Sequence, residues 1–410
     1  MATTADTIRQ GSAADAAAGE RRADRFVVAT ALTAGALLAG LIALETAPFL
    51  VGLFAVGAVL GIGLYHGAFG FTGGWRRFVV HGRGAALRAQ LALLALAALL
   101  IAPVLALTGP AAGLTGALAP VGLSLVVGAF LFGFGMQLGG GCGSGTLFTV
   151  GAGNVRMLLT LLFFVVGSVI GTIHLPWWLE RPALDPVDLA GGLGVPGALG
   201  LTLALCAGLA WWVTRVERRR HGDVERRLLA APGRGAASAL VKGPWPLAWA
   251  VAVLAVGNLL VLLLAGHPWG ITFAFGLWGA KALQAVGVDM ARFEFWTWDY
   301  PAMALADSVL VNVTSVTNFG LLVGAMLAAG LAGRFNRASQ GRIPPRSLLA
   351  AVIGGLAMGY GARLAFGCNI GAMFSGIASA SLHGWIWFAA AWVGSLLAIR
   401  LRPRFSLAND

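Results

Sequence analysis

Long apolar runs separated by short polar stretches dominate this chain. They fall at about 26–46, 49–65, 87–107, 119–138, 157–175, 193–214, 246–265, 270–287, 303–331, 347–366 and 384–401. An α-helix needs roughly 20 apolar residues, at about 1.5 Å each, to cross a hydrocarbon core of about 30 Å. The pattern therefore predicts an all-α polytopic membrane protein. Several runs are short or Gly-rich, which predicts broken or re-entrant half-helices among the full spans.

The polar stretches set an orientation. Arg76, Arg77, Arg83 and Arg88 lie between two runs. Arg215, Arg218, Arg219, Arg220, Arg226, Arg227, Arg234 and Lys242 lie between another two, and Arg334, Arg337, Arg342 and Arg346 between a third pair. Arg400, Arg402 and Arg404 close the chain. Cytoplasmic loops carry the excess of Lys and Arg. The stretches with Glu180, Asp185 and Asp188, and with Asp289, Glu294 and Asp299, are then periplasmic, and both termini are inside. Arg21, Arg22 and Arg25 precede the first run, which reads as an uncleaved first helix. The expected organisation is a disordered cytoplasmic tail over 1–25, a first membrane repeat over 26–214 with its core at 66–175, and a basic cytoplasmic linker over 215–245. A second repeat occupies 246–402, with a short tail at 403–410.

Composition sharpens this reading. The chain is 58% hydrophobic and 11% charged, against about 25% charged in soluble domains. The net charge of +12 reflects loop topology rather than a nucleic-acid surface. Three cysteines without a C-x-x-C give neither a disulfide framework nor a zinc site. No G-x-x-x-x-G-K-[ST] loop is present, so nothing in the sequence points to ATP as the driver.

Two stretches repeat. Gly128 to Phe148 contains Gly133-Phe-Gly135, Leu138 and Gly141-Cys142-Gly143-Ser144-Gly145. Gly354 to Phe374 contains Gly359-Tyr-Gly361, Leu364 and Gly367-Cys368-Asn369-Ile370-Gly371. The offset is 226 throughout. By the loop signs, the helix before Cys142 heads inward and the helix before Cys368 heads outward. That predicts two inverted-topology repeats around a central path, with a site near the midplane. A weaker pair, Phe69-Gly70-Phe71-Thr72-Gly73 with Phe275-Gly276-Leu277-Trp278-Gly279, points the same way.

Irregular backbone at membrane depth survives only where protein or water covers it. The Gly-Cys-x-x-Gly motif suits such a turn, because glycine permits close backbone approach. A half-helix that starts there points free N–H groups and its positive end at the turn, favouring an anion. A thiol there is a weak, polarizable donor matched to a soft sulfur atom. For one motif the opposing interpretation, glycine packing beside a small buried cysteine, is the better one. Duplication around Cys142 and Cys368 reverses that balance. Gly141, Gly145, Gly367 and Gly371 join them as expected path residues.

Both cysteine motifs, with Phe69-Gly70-Phe71-Thr72-Gly73-Gly74-Trp75-Arg76, resemble the YeeE/YedE sulfur-transport family over about residues 50–400. The resemblance implies an hourglass-shaped importer of a small sulfur-containing anion, thiosulfate above all, with Cys142 and Cys368 relaying it through S–H···S contacts. It also implies a soluble cytoplasmic sulfurtransferase as a partner. There are departures. Gly70 stands where the family's thiosulfate importers carry a cysteine, so the outermost thiol of the relay is absent. Arg363 and Phe366 replace smaller residues.

Other polar residues admit more than one role. Arg363, five residues before Cys368, either pairs with a dianion or snorkels. Lys281 either attracts anions at the periplasmic mouth or snorkels. Asp307, Thr314, Ser315 and Asn318 fall near one face of the expected 303–331 helix and read as an interhelical hydrogen-bond seam. Trp177, Trp178, Trp211, Trp212, Trp296 and Trp298 read as interfacial belts, and Cys206 as packing. The histidines show no ligand spacing, and neither a metal nor a cofactor is expected. The chain is expected to be a transporter and not an enzyme. The alternatives are a membrane thiol–disulfide oxidoreductase using Cys142 and Cys368, and a membrane subunit that delivers sulfur.

Overall fold

In lipid, backbone polar groups must be satisfied within each segment, so apolar runs of this length fold as helices. The computed structural model describes residues 22–46, 48–108, 110–225, 236–336 and 343–409. Arg21, Arg226, Arg227, Arg234, Arg337, Arg342 and most of the expected N-terminal tail lie outside these ranges. The first half contains α1 (Arg25–Glu45), α2 (Pro48–His66), α3 (Phe71–His81), α4 (Ala85–Thr108), α5 (Leu123–Gly139), α6 (Gly143–Gly151), α7 (Val155–Leu179) and α8 (Leu189–His221). The second contains α9 (Ala236–Lys242), α10 (Leu247–Ala265), α11 (Thr272–Ala285), α12 (Asp299–Ala306), α13 (Val313–Leu331) and α14 (Pro345–Leu364). A π-helical turn (Asn369–Phe374) then leads into α15 (Ser375–Ala378), and α16 (Leu382–Leu401) completes the bundle. Among the described residues, ten helical stretches are long and apolar enough to cross a membrane. The protein is an all-α polytopic membrane protein.

Local chemistry sets the helix ends. Asp24, Asn154, Asp188 and Asn312 each accept a hydrogen bond from the first turn of the helix they precede, as N-caps do. The chain breaks in α8 at Gly194 (φ 69°, ψ 160°), two residues before Pro196.

Helix ends gather on two opposite faces. On one, Asp24 meets Gly330, His66 meets Trp245, and Asn336 meets Ala152 through backbone hydrogen bonds. Arg220 donates to Val80 O there, and the His221 ring meets His81 O. On the other, Thr115 meets Gly266, Leu123 meets Pro182, and Leu189 and Leu382 bond Ala380 and Val187. The Arg clusters within the described residues fall on the first face, and the acidic stretches fall on the second. Ion pairs tie the α3–α4 hairpin to the end of α8. Arg88 Nη1 donates to the fully buried Glu217 at 2.5 Å, and Arg83 reaches both Glu217 (3.5 Å) and Asp223 (2.8 Å).

The two halves interlock. Helix α7 lies along α14, α16 lies along α5, and α5 and α14 cross. At that crossing a Cβ on Gly128 would stand 2.7 Å from Gly361 O, and one on Gly135 would stand 2.7 Å from Gly354 O. The offset of 226 exchanges these two contacts, since it carries 128 to 354 and 135 to 361. Beside this layer, α2 packs on α13 just as closely: Cβ atoms on Gly57 and Gly61 would overlap the Thr317 and Leu321 carbonyls, and ones on Gly320 and Gly324 would overlap those of Phe54 and Ala58. Small residues at such crossings let backbones meet where lipid supplies no hydrophobic drive.

Three expectations change. The 303–331 run is two helices, because Asp307 to Asn312 leave the helix and Asn312 caps α13 by accepting from Ser315 N at 2.9 Å. Asp307 therefore stands exposed at the end of α12, apart from the buried Thr314, Ser315 and Asn318. The 270–287 run is a 14-residue half-helix, α11, and not a span. Trp296 is not interfacial. It is 2% exposed and donates from Nε1 to Thr172 Oγ1.

Candidate functional site

Four half-helices aim their N-termini at the centre of the bundle. Helices α3 and α6 end on the Arg-rich face, while α11 and the 369–378 segment end on the acidic face. Gly70, Cys142, Ile271 and Cys368 are the N-caps of these four half-helices. Every half-helix leaves its first N–H groups without intrahelical partners, so the convergence point is lined with donors and positive helix ends.

The thiols sit at this convergence. Cys142 is 1% exposed and Cys368 is fully buried, and neither is in a disulfide. Cys142 Sγ lies 3.5 Å from Ser144 Oγ. Cys368 Sγ accepts from Ile370 N at 3.4 Å. A Cβ on Gly143 would stand 3.1 Å from Cys368 Sγ and 3.5 Å from Ile271 Cγ2. The second motif thus comes up against the first residue of α6.

The other motif glycines have separate tasks. Gly145 leaves room for the Cys142 sulfur, which lies 3.4 Å from where its Cβ would be. A Cβ on Gly141 would stand 3.0 Å from the backbone of Gly145 and Thr146. A Cβ on Gly371 would stand 3.6 Å from Gly270 Cα, and Gly367 (φ 149°) holds the turn before Cys368 in a conformation few L residues adopt. One position breaks the pattern. Gly140 takes the left-handed cap after α5, and its counterpart after α14 is Phe366 at φ 57°, a strained state for a bulky residue.

Gly70 is half-exposed, and a Cβ there would meet nothing within 4 Å. The same holds for Gly270, which no sequence pattern singled out. Trp269-Gly270-Ile271-Thr272 is the counterpart of Phe69-Gly70-Phe71-Thr72, since both precede or open a half-helix. Phe275 to Gly279 lie inside α11, so the weaker sequence pair is out of register by about six residues. Gly70 belongs with Cys142 to the half-helices rising from the Arg-rich face. Gly70 and Gly270 thus have open space beside them, while the two thiols are buried.

Arg363 is 8% exposed at the end of α14, next to α11. Lys281 sits apart from the thiols, nine residues into α11, and donates to Leu305 O at 2.9 Å, closing the end of α12. Cys206 lies in α8, outside the convergence. Arg156, another residue that no motif marks, donates to Gly139 O (2.7 Å) and Leu138 O (2.8 Å). It satisfies the last carbonyls of α5 just before the cysteine turn. Among the described residues, no three His, Cys, Asp or Glu side chains group as metal ligands. A cavity of about 430 Å³ between α4, α8 and the 379–380 turn holds none of the cysteines.

Comparison with known proteins agrees with this geometry. The sulphur-transport family model matches residues 66–397. The probable transporter YedE of Escherichia coli K12 is 35% identical over 161 residues, 38% of this chain and 38% of that protein. The match to YedE thus spans about two fifths of that relative. The thiosulfate transporter TsuA of Spirochaeta thermophila is 27% identical over 267 residues, 64% of this chain and 72% of that one. TsuA of E. coli K12 is 26% identical over 360 residues, 85% of this chain and 94% of that one. The half-helices, the duplicated cysteine turns and the breadth of the match lead to one conclusion: the chain belongs to the sulphur-transport family of multi-pass membrane transporters.

Proposed function

We propose that this protein imports a small sulfur-containing anion, thiosulfate first among them, through the constriction between Cys142 and Cys368. The carrying observation is the pair of buried free thiols at the N-termini of opposed half-helices. The helix ends offset the anion's charge, and each thiol offers an S–H to the soft sulfur of the substrate. Gly141, Gly145, Gly367 and Gly371 keep the turns tight enough for both sulfurs to face the path. The Arg-rich face is cytoplasmic on this reading, in a bacterial inner membrane with both termini inside. A soluble cytoplasmic sulfurtransferase then consumes the product. The names of the TsuA relatives support thiosulfate as the first substrate to test.

The test is uptake of radiolabelled thiosulfate by cells lacking their own sulfur importers, comparing wild type, Cys142→Ala and Cys368→Ala at matched expression. Import by wild type that either substitution abolishes supports a two-thiol path, with a third thiol at Gly70 dispensable. A silent wild type at verified expression refutes thiosulfate import. Crosslinking of Cys142 to Cys368 during turnover would instead favour the thiol–disulfide oxidoreductase, which needs two reacting cysteines.

A further inference from the structure

Beside the two cysteine turns, one pair of equivalent positions differs in charge. The offset of 226 carries Gln137 to Arg363, each near the end of the helix that leads into a cysteine turn. Gln137 is fully buried, and its Nε2 donates to Thr72 O in the first turn of α3. Arg363 stands beside the first turns of α11: its Nη1 would lie 3.8 Å from a Cβ on Gly276, and its guanidinium carbon is 5.8 Å from the Phe273 ring centroid. The aliphatic stem packs on Gly171 of α7.

This guanidinium has no anionic partner. Its Nε is sealed from solvent without an acceptor, and no carboxylate among the described residues lies within 4.0 Å of it. Thr172, the nearby hydroxyl, already donates to Val169 O and accepts from Trp296. Cys368 follows five residues later, after the turn that ends α14. A snorkelling arginine would carry its whole side chain out to the bilayer surface; Arg363 is instead 8% exposed, with its Nε sealed and its stem packed on α7. An unpaired buried cation in a membrane span is costly and is retained for function. A second unpaired group adjoins the same thiol: Asn369, directly after Cys368, is fully buried with neither side-chain oxygen nor nitrogen bonded.

Resting on the transport reading, we propose that Arg363 is the oxyanion-binding group of the path, a specificity residue on the acidic-face side of Cys368 that has no charged equivalent on the other side. Its planar fork takes two oxygens of a sulfonate-like head, leaving the substrate's terminal sulfur for the Cys368 thiol. Because Gln137 is neutral, the anion is held tightly before the constriction and weakly after it.

The test uses full-length protein in liposomes and in detergent. Arg363→Met removes the charge and keeps the bulk. It should melt no lower than wild type, since it deletes an unpaired buried charge, while KM for thiosulfate rises tenfold or more. Arg363→Lys should recover part of the loss. External sulfate, which has the oxygens but no terminal sulfur, should compete with thiosulfate in wild type and not in Arg363→Met. Wild-type KM and sulfate competition in Arg363→Met would overturn the proposal and leave the transport reading intact. In detergent, thiosulfate should raise the melting temperature of wild type and not of Arg363→Met. If wild type transports nothing yet shows that Arg363-dependent shift, the transport reading fails and the anion site stands. Loss of melting temperature in both variants with unchanged thiosulfate response would mark Arg363 as structural and overturn the proposal.

Discussion

Replacing Gly143 by alanine probes the constriction with a single methyl. Gly143 is the first residue of α6, in ordinary helical conformation, so the backbone accepts alanine without strain. The added Cβ would stand 3.1 Å from Cys368 Sγ, 3.5 Å from Cys368 Cβ and 3.5 Å from Ile271 Cγ2. Non-bonded heavy atoms prefer about 3.5–4.0 Å, so the sulfur must withdraw by roughly half an ångström. Moving one side chain off its rotamer costs about 0.5–1.5 kcal/mol. Alanine offsets up to about 1 kcal/mol of that through helix propensity. Net stability should change by less than about 1 kcal/mol. Passage is different, because on the proposed path the methyl stands against the Cys368 thiol that the anion must pass. Overpacking of about 1–3 kcal/mol, met only as the anion squeezes through, slows transport roughly 5- to 150-fold at about 1.4 kcal/mol per decade. The assay is initial uptake of labelled thiosulfate into liposomes, paired with a detergent melting curve. Unchanged uptake by stable Gly143→Ala protein would mean that the anion does not pass between Cys142 and Cys368.

Other positions give sharper contrasts in stability. Gly324→Ala would drive a Cβ into the Ala58 carbonyl; it should cost about 3 kcal/mol or more and lower the detergent melting temperature or abolish folded protein. Gly208→Ala, on an exposed stretch of α8 with nothing within 4 Å, should be neutral or raise stability by up to about 1 kcal/mol. Glu217→Gln leaves Arg88 facing a fully buried neutral amide. Breaking such a pair costs about 3–5 kcal/mol at most, and the Arg88→Met, Glu217→Leu double variant should melt higher than Glu217→Gln alone. Phe366→Gly relieves a left-handed phenylalanine worth about 1–2 kcal/mol of strain; its melting temperature should hold or rise, and a marked fall would show that the ring's packing outweighs the backbone.

Much of the architecture is legible in the sequence because lipid imposes length and loops impose sign. Helices α4, α7, α10 and α16 fall where unbroken apolar runs predict them. The central crossing is legible too, since the offset of 226 around Cys142 and Cys368 survives as reciprocal contacts between Gly128, Gly135, Gly354 and Gly361. The failures have local causes. Residues 270–287 are apolar throughout, so only tertiary placement reveals that α11 enters from one face and stops. Met303 to Leu331 look continuous by hydropathy, yet Asn312 prefers to cap, and capping defeats a run that composition alone would extend. Gly270 escapes notice because its motif shares only Gly and Thr with the stretch around Gly70, and Trp296 because hydropathy cannot tell a wedge in the core from an anchor at the interface. The unpaired state of Arg363 belongs to neighbours on α7 and α11 that no local pattern displays.

The interlocking of α7 with α14 and of α16 with α5 also bears on how the protein is made. When α7 leaves the ribosome, the helix that covers its glycine-lined face begins more than 160 residues later, at Pro345. At about 5–20 residues per second that is a delay of roughly 10–30 s, during which an already inserted first half shows lipid the surfaces it will bury. A chain arrested or cleaved in the linker between α8 and α10 should therefore yield not half a transporter but two orphan fragments. Each would be a substrate for membrane quality control until the other arrives.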